Sequence, residues 1–416
     1  MAANSAPHMT PQPHDYRADF PVLQTQMNGR PLAFLDSAAS AQKPRAVIEA
    51  MSAVLEGGYS NIHRGLYSIS QQLTTDFEAV RAKIACFIGA NSEKEVVFTK
   101  NSTESINLVA QSWGRTFLEA GDEIILSEME HHANIVPWQI LAGQIGFEIK
   151  VIPVLDDGSL DIARFETLLS EKTKLVSLTH ISNATGIINN ISKVISLSRN
   201  LNPKTKILID GSQGIVHTPV DVKSLDCDFY VFTGHKLYGP TGVGVLYGKY
   251  DLLESMPPFM GGGDMIERVS FEGTTFKAPP YRFEAGTPPI VEVIGLGAAI
   301  DYIEKVGFEY IENHEMRLRD YTYKQLKKID GLKIYGNAPD KIGIFSFTID
   351  GLHHSDIGMI LDRCGVAIRA GHHCCMPLMQ RFGIDGTTRA SLGLYSNEGD
   401  IDKLTEALKK AKDILG

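Results

Sequence analysis

Between residues 32 and 248 the chain alternates short apolar runs with longer amphipathic ones. The apolar runs at 95–99, 123–127, 148–154, 175–179, 206–209, 229–233 and 243–247 are rich in Val, Ile, Leu and Phe. Such runs, bounded by polar turns, predict strands buried on both faces. Helical periodicity fills most of the intervals, at 105–118, 137–145, 162–169 and 193–200. Strands alternating with helices predict an α/β fold, with a large domain built on a mostly parallel seven-stranded sheet between helices. Only residues 237–242 separate the last two strands, too little chain for a helical crossover, so the regular pattern breaks there.

Residues 256–287 change character. Pro257-Pro258, Gly261-Gly262-Gly263 and Pro279-Pro280 crowd the segment and predict a long excursion with a hairpin near Glu272-Gly273. Loops of this length in compact domains are usually functional. Beyond it the pattern gives helices at 290–304 and 310–328, strands at 333–335 and 344–349, and a helix at 355–364. Strands near 366–369 and 388–392 and a closing amphipathic helix at 401–415 complete a smaller C-terminal α+β domain. The expected division is a disordered leader at 1–15, a large cofactor-binding domain at 16–295 and a small domain at 296–416.

Composition narrows the class of function. With 416 residues, 43% hydrophobic and 21% charged, the chain has the balance of an ordinary globular protein. A net charge of -9 argues against nucleic acid or an anionic membrane surface as the main partner. No uncharged apolar run approaches the roughly 18–20 residues that span a bilayer, and the first residues lack the apolar core of a signal peptide. The five cysteines, Cys86, Cys227, Cys364, Cys374 and Cys375, are scattered and odd in number. They form no disulfide framework, which points to a reducing, cytoplasmic setting.

The strand at 229–233 ends on Thr233-Gly234-His235-Lys236, and the strand at 206–209 ends on Asp210-Gly211-Ser212-Gln213. A lysine at the end of an interior strand is costly to bury as a free cation, so it needs a partner or a covalent task. Pyridoxal phosphate supplies one, because its aldehyde condenses with a lysine amine while an aspartate keeps its pyridinium nitrogen protonated. Taken singly, Lys236 would be a surface lysine in a turn; Asp210 at a second strand end makes the pair a candidate site.

Further chemistry gathers at other strand ends. Asn101-Ser102-Thr103-Glu104 has the spacing of a capping box, with two hydroxyls beside the free N–H groups of a helix start, a combination that holds phosphate. Thr233 and His235 would complete such a cradle from the lysine side; a plain helix cap is the alternative. One of His131 and His132 suggests a ring that stacks on a flat cofactor, since tandem neighbours rarely face one ion; two incidental surface histidines are the alternative. No metal site is expected. Asn183 closes a further strand with an amide able to bond a ring hydroxyl or a carboxylate, or serves only as a turn residue. Arg369-Ala370-Gly371-His372-His373-Cys374-Cys375 sets a thiol beside histidines and an arginine, where thiolate formation would favour a nucleophile. The rivals are a His-His-Cys-Cys metal set, to which adjacent ligands give poor tetrahedral geometry, and cysteines that are merely buried small apolar residues. Arg389 suits a bidentate grip on a carboxylate, or a structural ion pair.

These residues together resemble a known family. The chain is similar to the cysteine desulfurases of the SUF-type group, which includes selenocysteine lyases, among the fold type I, class V aminotransferase-like pyridoxal-phosphate enzymes. The likeness runs from about Asp19 to Leu415 and rests on Leu35-Asp36-Ser37-Ala38-Ala39, His63-Arg64-Gly65, Ser102-Thr103-Glu104, Glu130-His131-His132-Ala133-Asn134, Asp210-Gly211-Ser212-Gln213, Gly234-His235-Lys236, Arg282-Phe283-Glu284-Ala285-Gly286-Thr287 and the segment at 369–374.

The resemblance implies a pyridoxal 5'-phosphate enzyme that converts L-cysteine to L-alanine and leaves a persulfide on Cys374. Lys236 would be the Schiff-base lysine, Asp210 the pyridinium partner and His131 the stacking acid/base. Gln213 and Asn183 would stand near the ring oxygen, and Ser102, Thr103, Thr233 and His235 at the phosphate. Asn183 and Arg389, with His63 and Arg369, would bind substrate. Thr287 would reach the phosphate of a neighbouring subunit, which implies a homodimer. A sulfur-acceptor protein of the SUF system would receive the sulfur for iron-sulfur cluster assembly. One position departs from the family pattern: Cys375 follows the nucleophile where a small residue without a thiol is usual. L-selenocysteine is an alternative substrate, and an aminotransferase or kynureninase-like hydrolase is an alternative activity that needs no thiol.

Overall fold

The computed structural model describes residues 15–416. The leader expected at 1–15 therefore lies, Asp15 apart, outside the described residues.

All seven strands expected of the large sheet form: β1 (Val96–Thr99), β2 (Glu123–Ser127), β3 (Glu148–Ile152), β4 (Thr173–Thr179), β5 (Lys206–Asp210), β6 (Phe229–Thr233) and β7 (Gly244–Gly248). They share one sheet in the order β1-β7-β6-β5-β4-β2-β3. Only β7 runs against its neighbours, pairing antiparallel with both β1 and β6. The other pairings are parallel. The short link ahead of β7 is what the sequence led one to expect of a strand that turns straight back. Every residue of β1, β2, β6 and β7 is buried, as is all of β5 beyond Lys206, which explains their apolar composition.

The helix expected at 105–118 starts earlier, at Ser102, and passes through a π-helical segment, Val109–Gly114. Two helices, Arg45–Gly57 and Ser68–Phe87, were not legible. Of the first only Val47 is buried, and the second carries a polar Ser/Thr/Gln-rich first half that obscures its apolar stripe. Both dock on Ile290–Val306. The hairpin forms from Ile266–Ser270 and Gly273–Phe276.

The C-terminal sheet is antiparallel and holds β8 (Leu332–Tyr335), β9 (Ile344–Ile349), β10 (Arg369–Gly371) and β11 (Thr387–Ser391), in the order β8-β9-β11-β10. The single strand expected at 366–369 is split. Val366–Ala367 leaves the sheet to pair in parallel with Ala33–Phe34, and β10 starts at Arg369. Ala33 and Leu35 consequently pack in the C-terminal core with Phe345, Phe347 and Leu404. The expected division at 295/296 falls inside Ile290–Val306, whose Val293, Leu296 and Ile300 belong to the large core. We propose that the smaller unit starts near Phe308 and takes back residues 33–35.

Gly211 shows how tightly the edge of the sheet is fitted. A Cβ added there would lie 2.0 Å from Cζ of fully buried Tyr230. Gly211→Ala should cost about 1–3 kcal/mol through overpacking, read as a lower urea midpoint with an unchanged slope. It should also displace Asp210 and Ser212, its chain neighbours.

Candidate active site

The segments that follow β1, β2, β4, β5 and β6 converge on a cavity of about 100 Å³. This is the carboxyl edge of the parallel strands, where open α/β sheets bind ligands. Ser102 and Thr103 enter after β1, His131 after β2 and Asn183 after β4. Asp210 ends β5 with Gln213 close behind it; Thr233 ends β6, and His235 and Lys236 follow. Nine of the residues singled out in the sequence thus line one cavity.

The parallel register sets Asp210 opposite Val231, so the two strand ends deliver the carboxylate and the lysine to the same space. Burial lowers the pKa of Lys236; Asp210 opposes the shift and Arg389 adds to it. His131 is lowered to about 4, first by burial and then by the Lys236 charge, so its imidazole is neutral near pH 7. Its Nδ1 accepts from the Ala133 N–H at 3.1 Å, which fixes the ring's orientation.

On the β1 side, Asn101 caps the helix by accepting from the Glu104 N–H at 2.9 Å. The returning bond of the expected capping box is displaced by one residue, because Glu104 accepts from the Lys100 N–H instead. Ser212 Oγ donates to Asp210 Oδ1 at 2.6 Å and lies 2.7 Å from Ser102 Oγ, linking the ends of β5 and β1. Thr233 Oγ1 is buried against this cavity without a hydrogen-bond partner among the described residues.

Cys374 and Cys375 part company. An extended loop would place neighbouring side chains on opposite sides, but the backbone here is a tight turn, with φ of +52° at His373 and +57° at Cys374. Cys374 is exposed and Cys375 is buried. Cys375 turns neither to solvent nor to the small domain's core: its Sγ lies 3.2 Å from Asn183 Oδ1 and it packs in the large core. Burial pushes its thiol up to about 12. The turn is pinned to the cavity wall by two backbone carbonyls. That of Cys374 accepts from the His132 N–H and that of His373 from Asn183 Nδ2, both at 2.8 Å.

Arg389 is fully buried on β11 and donates to the Asn183 carbonyl at 2.8 Å and to Asp36 at 3.1 Å. Exposed Arg369 holds the other oxygen of Asp36 at 3.1 Å. Arg389 Nε has no hydrogen-bond partner among the described residues. His63 and Thr287 are not brought to this cavity. His63 bonds Glu78 at 3.0 Å, and Thr287 lies beside a second, open cavity that shares Asn101 and His235 with the first.

The aminotransferase class-V family matches residues 33–404. The chain belongs to this family. It is 49% identical over 401 residues to a cysteine desulfurase of Pectobacterium carotovorum and, equally, to one of Escherichia coli O127:H6, covering 96% of this chain and 98% of each relative. Among solved structures, the cysteine desulfurase CsdA of Escherichia coli, in an S-sulfonic acid form, superposes with a TM-score of 0.88 at 40% identity, covering 96% of this chain and 98% of that one. The apo cysteine desulfurase of Thermococcus onnurineus NA1 gives 0.90 at 37%, with the same coverage.

The cofactor of this class-V family member is pyridoxal phosphate. The cavity fits it: the unpartnered Thr233 hydroxyl and the Ser102 and Thr103 hydroxyls offer donors for a phosphate, and Lys236 and Asp210 offer an amine and a carboxylate.

Three features escaped the sequence reading: Ser212 as a bridge, Asp36 between two arginines, and a buried network behind His131. Both residues stood in motifs already singled out, but neither pairing is local. In the network Glu130 accepts from Ser127 Oγ at 2.6 Å and from Asn134 Nδ2 at 2.7 Å, while Asn134 Oδ1 accepts from Ser177 Oγ. Burial, reinforced by Asp210, pushes Glu130 up to about 8 from an ordinary 4.5, against the hydrogen bonds from Ser127 and Asn134.

That shift has a definite sign. As pH rises from about 5 toward 8, the unfolded chain loses the Glu130 proton while the folded one keeps it, so stability falls by up to about 1.4 kcal/mol per pH unit. Melting curves of Glu130→Gln across that window should flatten relative to the wild type; equal slopes would mean Glu130 does not hold its proton. Alkylation with iodoacetamide below about pH 9 should label exposed Cys374 and Cys86 and leave Cys375 and Cys227 unmodified. Peptide mass spectrometry reads the outcome.

Proposed function

We propose that this chain is a pyridoxal-phosphate-dependent cysteine desulfurase that converts L-cysteine to L-alanine and carries the sulfur away as a persulfide on Cys374. The observation that carries the reading is the position of the exposed Cys374 thiol, on a turn whose carbonyls are bonded to the cavity wall through His132 and Asn183. A transaminase or a hydrolase of the same fold has no use for such a thiol. Relatives at 49% identity are cysteine desulfurases.

Bound at Lys236, the cofactor withdraws electrons from the substrate's α-carbon. The chain's residues then have distinct tasks. Arg389 grips the substrate carboxylate, drawing on the orientation set by Asp36 and the Asn183 carbonyl. Lys236, its pKa lowered by burial, accepts the α-proton. His131, neutral near pH 7, exchanges a proton with the substrate sulfur. The Cys374 thiolate attacks that sulfur, forming the S–S bond as the C–S bond breaks, and a proton returned to carbon completes L-alanine. Cysteine and a thiol thus become alanine and a persulfide, with no external oxidant.

His63 and Thr287 lie away from the cavity of their own chain, so a role for either at the site calls for a second subunit. We assign the working enzyme as a homodimer in which Thr287 serves the neighbour's phosphate and His63 and Arg369 flank the substrate entrance. The turn from β10 to Cys374 is short and bonded on both sides, which supports the SUF-type assignment: the persulfide cannot travel far, so a sulfur-acceptor protein must come to it. The proposed setting is cytoplasmic iron-sulfur cluster assembly. Among the described residues no helix is long and apolar enough to cross a membrane.

Lys236→Ala should retain less than about one part in a thousand of the wild-type rate, a loss of more than roughly 4 kcal/mol of transition-state stabilisation. Cys374→Ala should keep the bound cofactor's absorbance yet form no persulfide, whereas Cys375→Ala should stay active. Mass spectrometry after one turnover should find the added sulfur on Cys374. Sulfur on Cys375, or full activity without Cys374, would overturn the assignment.

A further inference from the structure

The sequence places its chemistry-bearing side chains in tandem pairs: His131-His132, His372-His373 and Cys374-Cys375. Neighbours in a chain rarely face one ion, and within each pair the fold sends the two members apart. His131 lines the cofactor cavity while His132 stands outside it. His373 is buried with its Nε2 at 2.7 Å from Thr387 Oγ1, while His372 is only half-buried. Cys375 is buried and Cys374 exposed. The three outward members, His132, His372 and Cys374, come together, with one ligand atom of each within 4.8 Å of the others. The two imidazole rings lie 5.5 Å apart, centre to centre.

We propose that His132, His372 and Cys374 form a binding site for a zinc-class divalent cation, which blocks the candidate nucleophile reversibly when occupied. Two imidazoles and a thiolate are the donor set that zinc favours, and water fills the fourth position. A tetrahedral zinc holds such donors ~3.4–3.6 Å apart, so the cluster closes with about one ångström of side-chain movement. The ligands come from two loops already tied by the bond from the His132 N–H to the Cys374 carbonyl. That tie supplies the rigidity a metal site needs.

Two hydrogen bonds oppose occupancy. His132 Nε2 accepts from the Met376 N–H and His372 Nδ1 from the Cys374 N–H, both at 3.1 Å. The cation must take those lone pairs or the rings must turn, which makes the site one that fills and empties rather than a permanent structural centre. Binding converts the Cys374 thiol and the aqueous cation into a metal thiolate and one released proton, with no change of oxidation state. While the metal is bound, Sγ no longer offers a free lone pair to a substrate sulfur. This inhibitory consequence rests on the proposed role of Cys374; the site itself does not.

The test uses the full-length holoenzyme. Titration with Zn²⁺ against a chromophoric chelator should show one tight site per chain, and Zn²⁺ should protect Cys374 from alkylation until EDTA is added. Co²⁺ as probe should give strong visible d–d bands of a four-coordinate thiolate site, clear of the cofactor's absorbance. Cys374→Ser and His372→Ala should weaken zinc binding by more than the roughly 10–100-fold that changes in outer-shell partners cause. His132→Gln should still form persulfide from cysteine but need at least about tenfold more zinc for inhibition. Absence of a stoichiometric site would overturn the proposal, as would unchanged zinc affinity in Cys374→Ser or wild-type zinc sensitivity in His132→Gln. A wild-type protein that binds zinc through these residues yet never forms persulfide would uphold the site and remove the desulfurase reading.

Discussion

The structure depends on a lysine amine held out of water at the end of a buried strand. Desolvation lowers the pKa of Lys236, and the carboxylate of Asp210 is the group that opposes the shift most. Neither effect would exist without the parallel register of β5 and β6, which brings two strand ends level. Parallel strands need crossover helices, and those helices bury the strands on both faces. The same arrangement that makes β5 and β6 apolar along their length thus concentrates polar groups at their carboxyl ends. The cavity is the place where the sheet's buried residues stop.

Around this pair the polar groups are mutually committed. Ser212 joins Asp210 to Ser102, Asn183 joins the cavity to the Cys374 turn, and Asp36 is divided between Arg389 and Arg369. Buried polar groups of this kind are stable only when satisfied, and a network that is fully paired holds its members in one geometry. The atoms left unpaired are informative for the same reason. Thr233 Oγ1 and Arg389 Nε lack partners among the described residues and stand where the proposed function places a phosphate and a carboxylate.

The two adjacent thiols show how environment separates identical groups. Cys375 is enclosed by protein beside Asn183 and its thiol is held well up by burial, whereas Cys374 meets solvent at the tip of a left-handed turn. Reactivity of a thiol follows its thiolate fraction and its access; burial lowers the first for Cys375 and denies it the second. Alternation along an extended strand does not account for this separation. Consecutive left-handed residues reverse the chain and place side chains by turn geometry instead.

Much of the fold was legible because its signals are local. A buried strand needs a continuous apolar run, so all seven strands of the large sheet could be read to within two residues. The Asp210 and Lys236 pair, the hydroxyls at 102–103 and the Cys374 loop could likewise be read, because each sits where an apolar run gives way to a turn. The helices at 45–57 and 68–87 could not, since one is almost wholly exposed and the other is polar through its first half. The docking of residues 33–35 on the C-terminal core, the bridge of Asp36 between two arginines, and the meeting of His132 with His372 and Cys374 were equally hidden. Each joins segments more than two hundred residues apart. The sequence by itself determined which residues could do chemistry and that most would lie at strand ends. Which member of each tandem pair faces the cavity, the core or the solvent was decided by tertiary structure alone, because side-chain direction in a turn follows from the backbone's path and not from residue type.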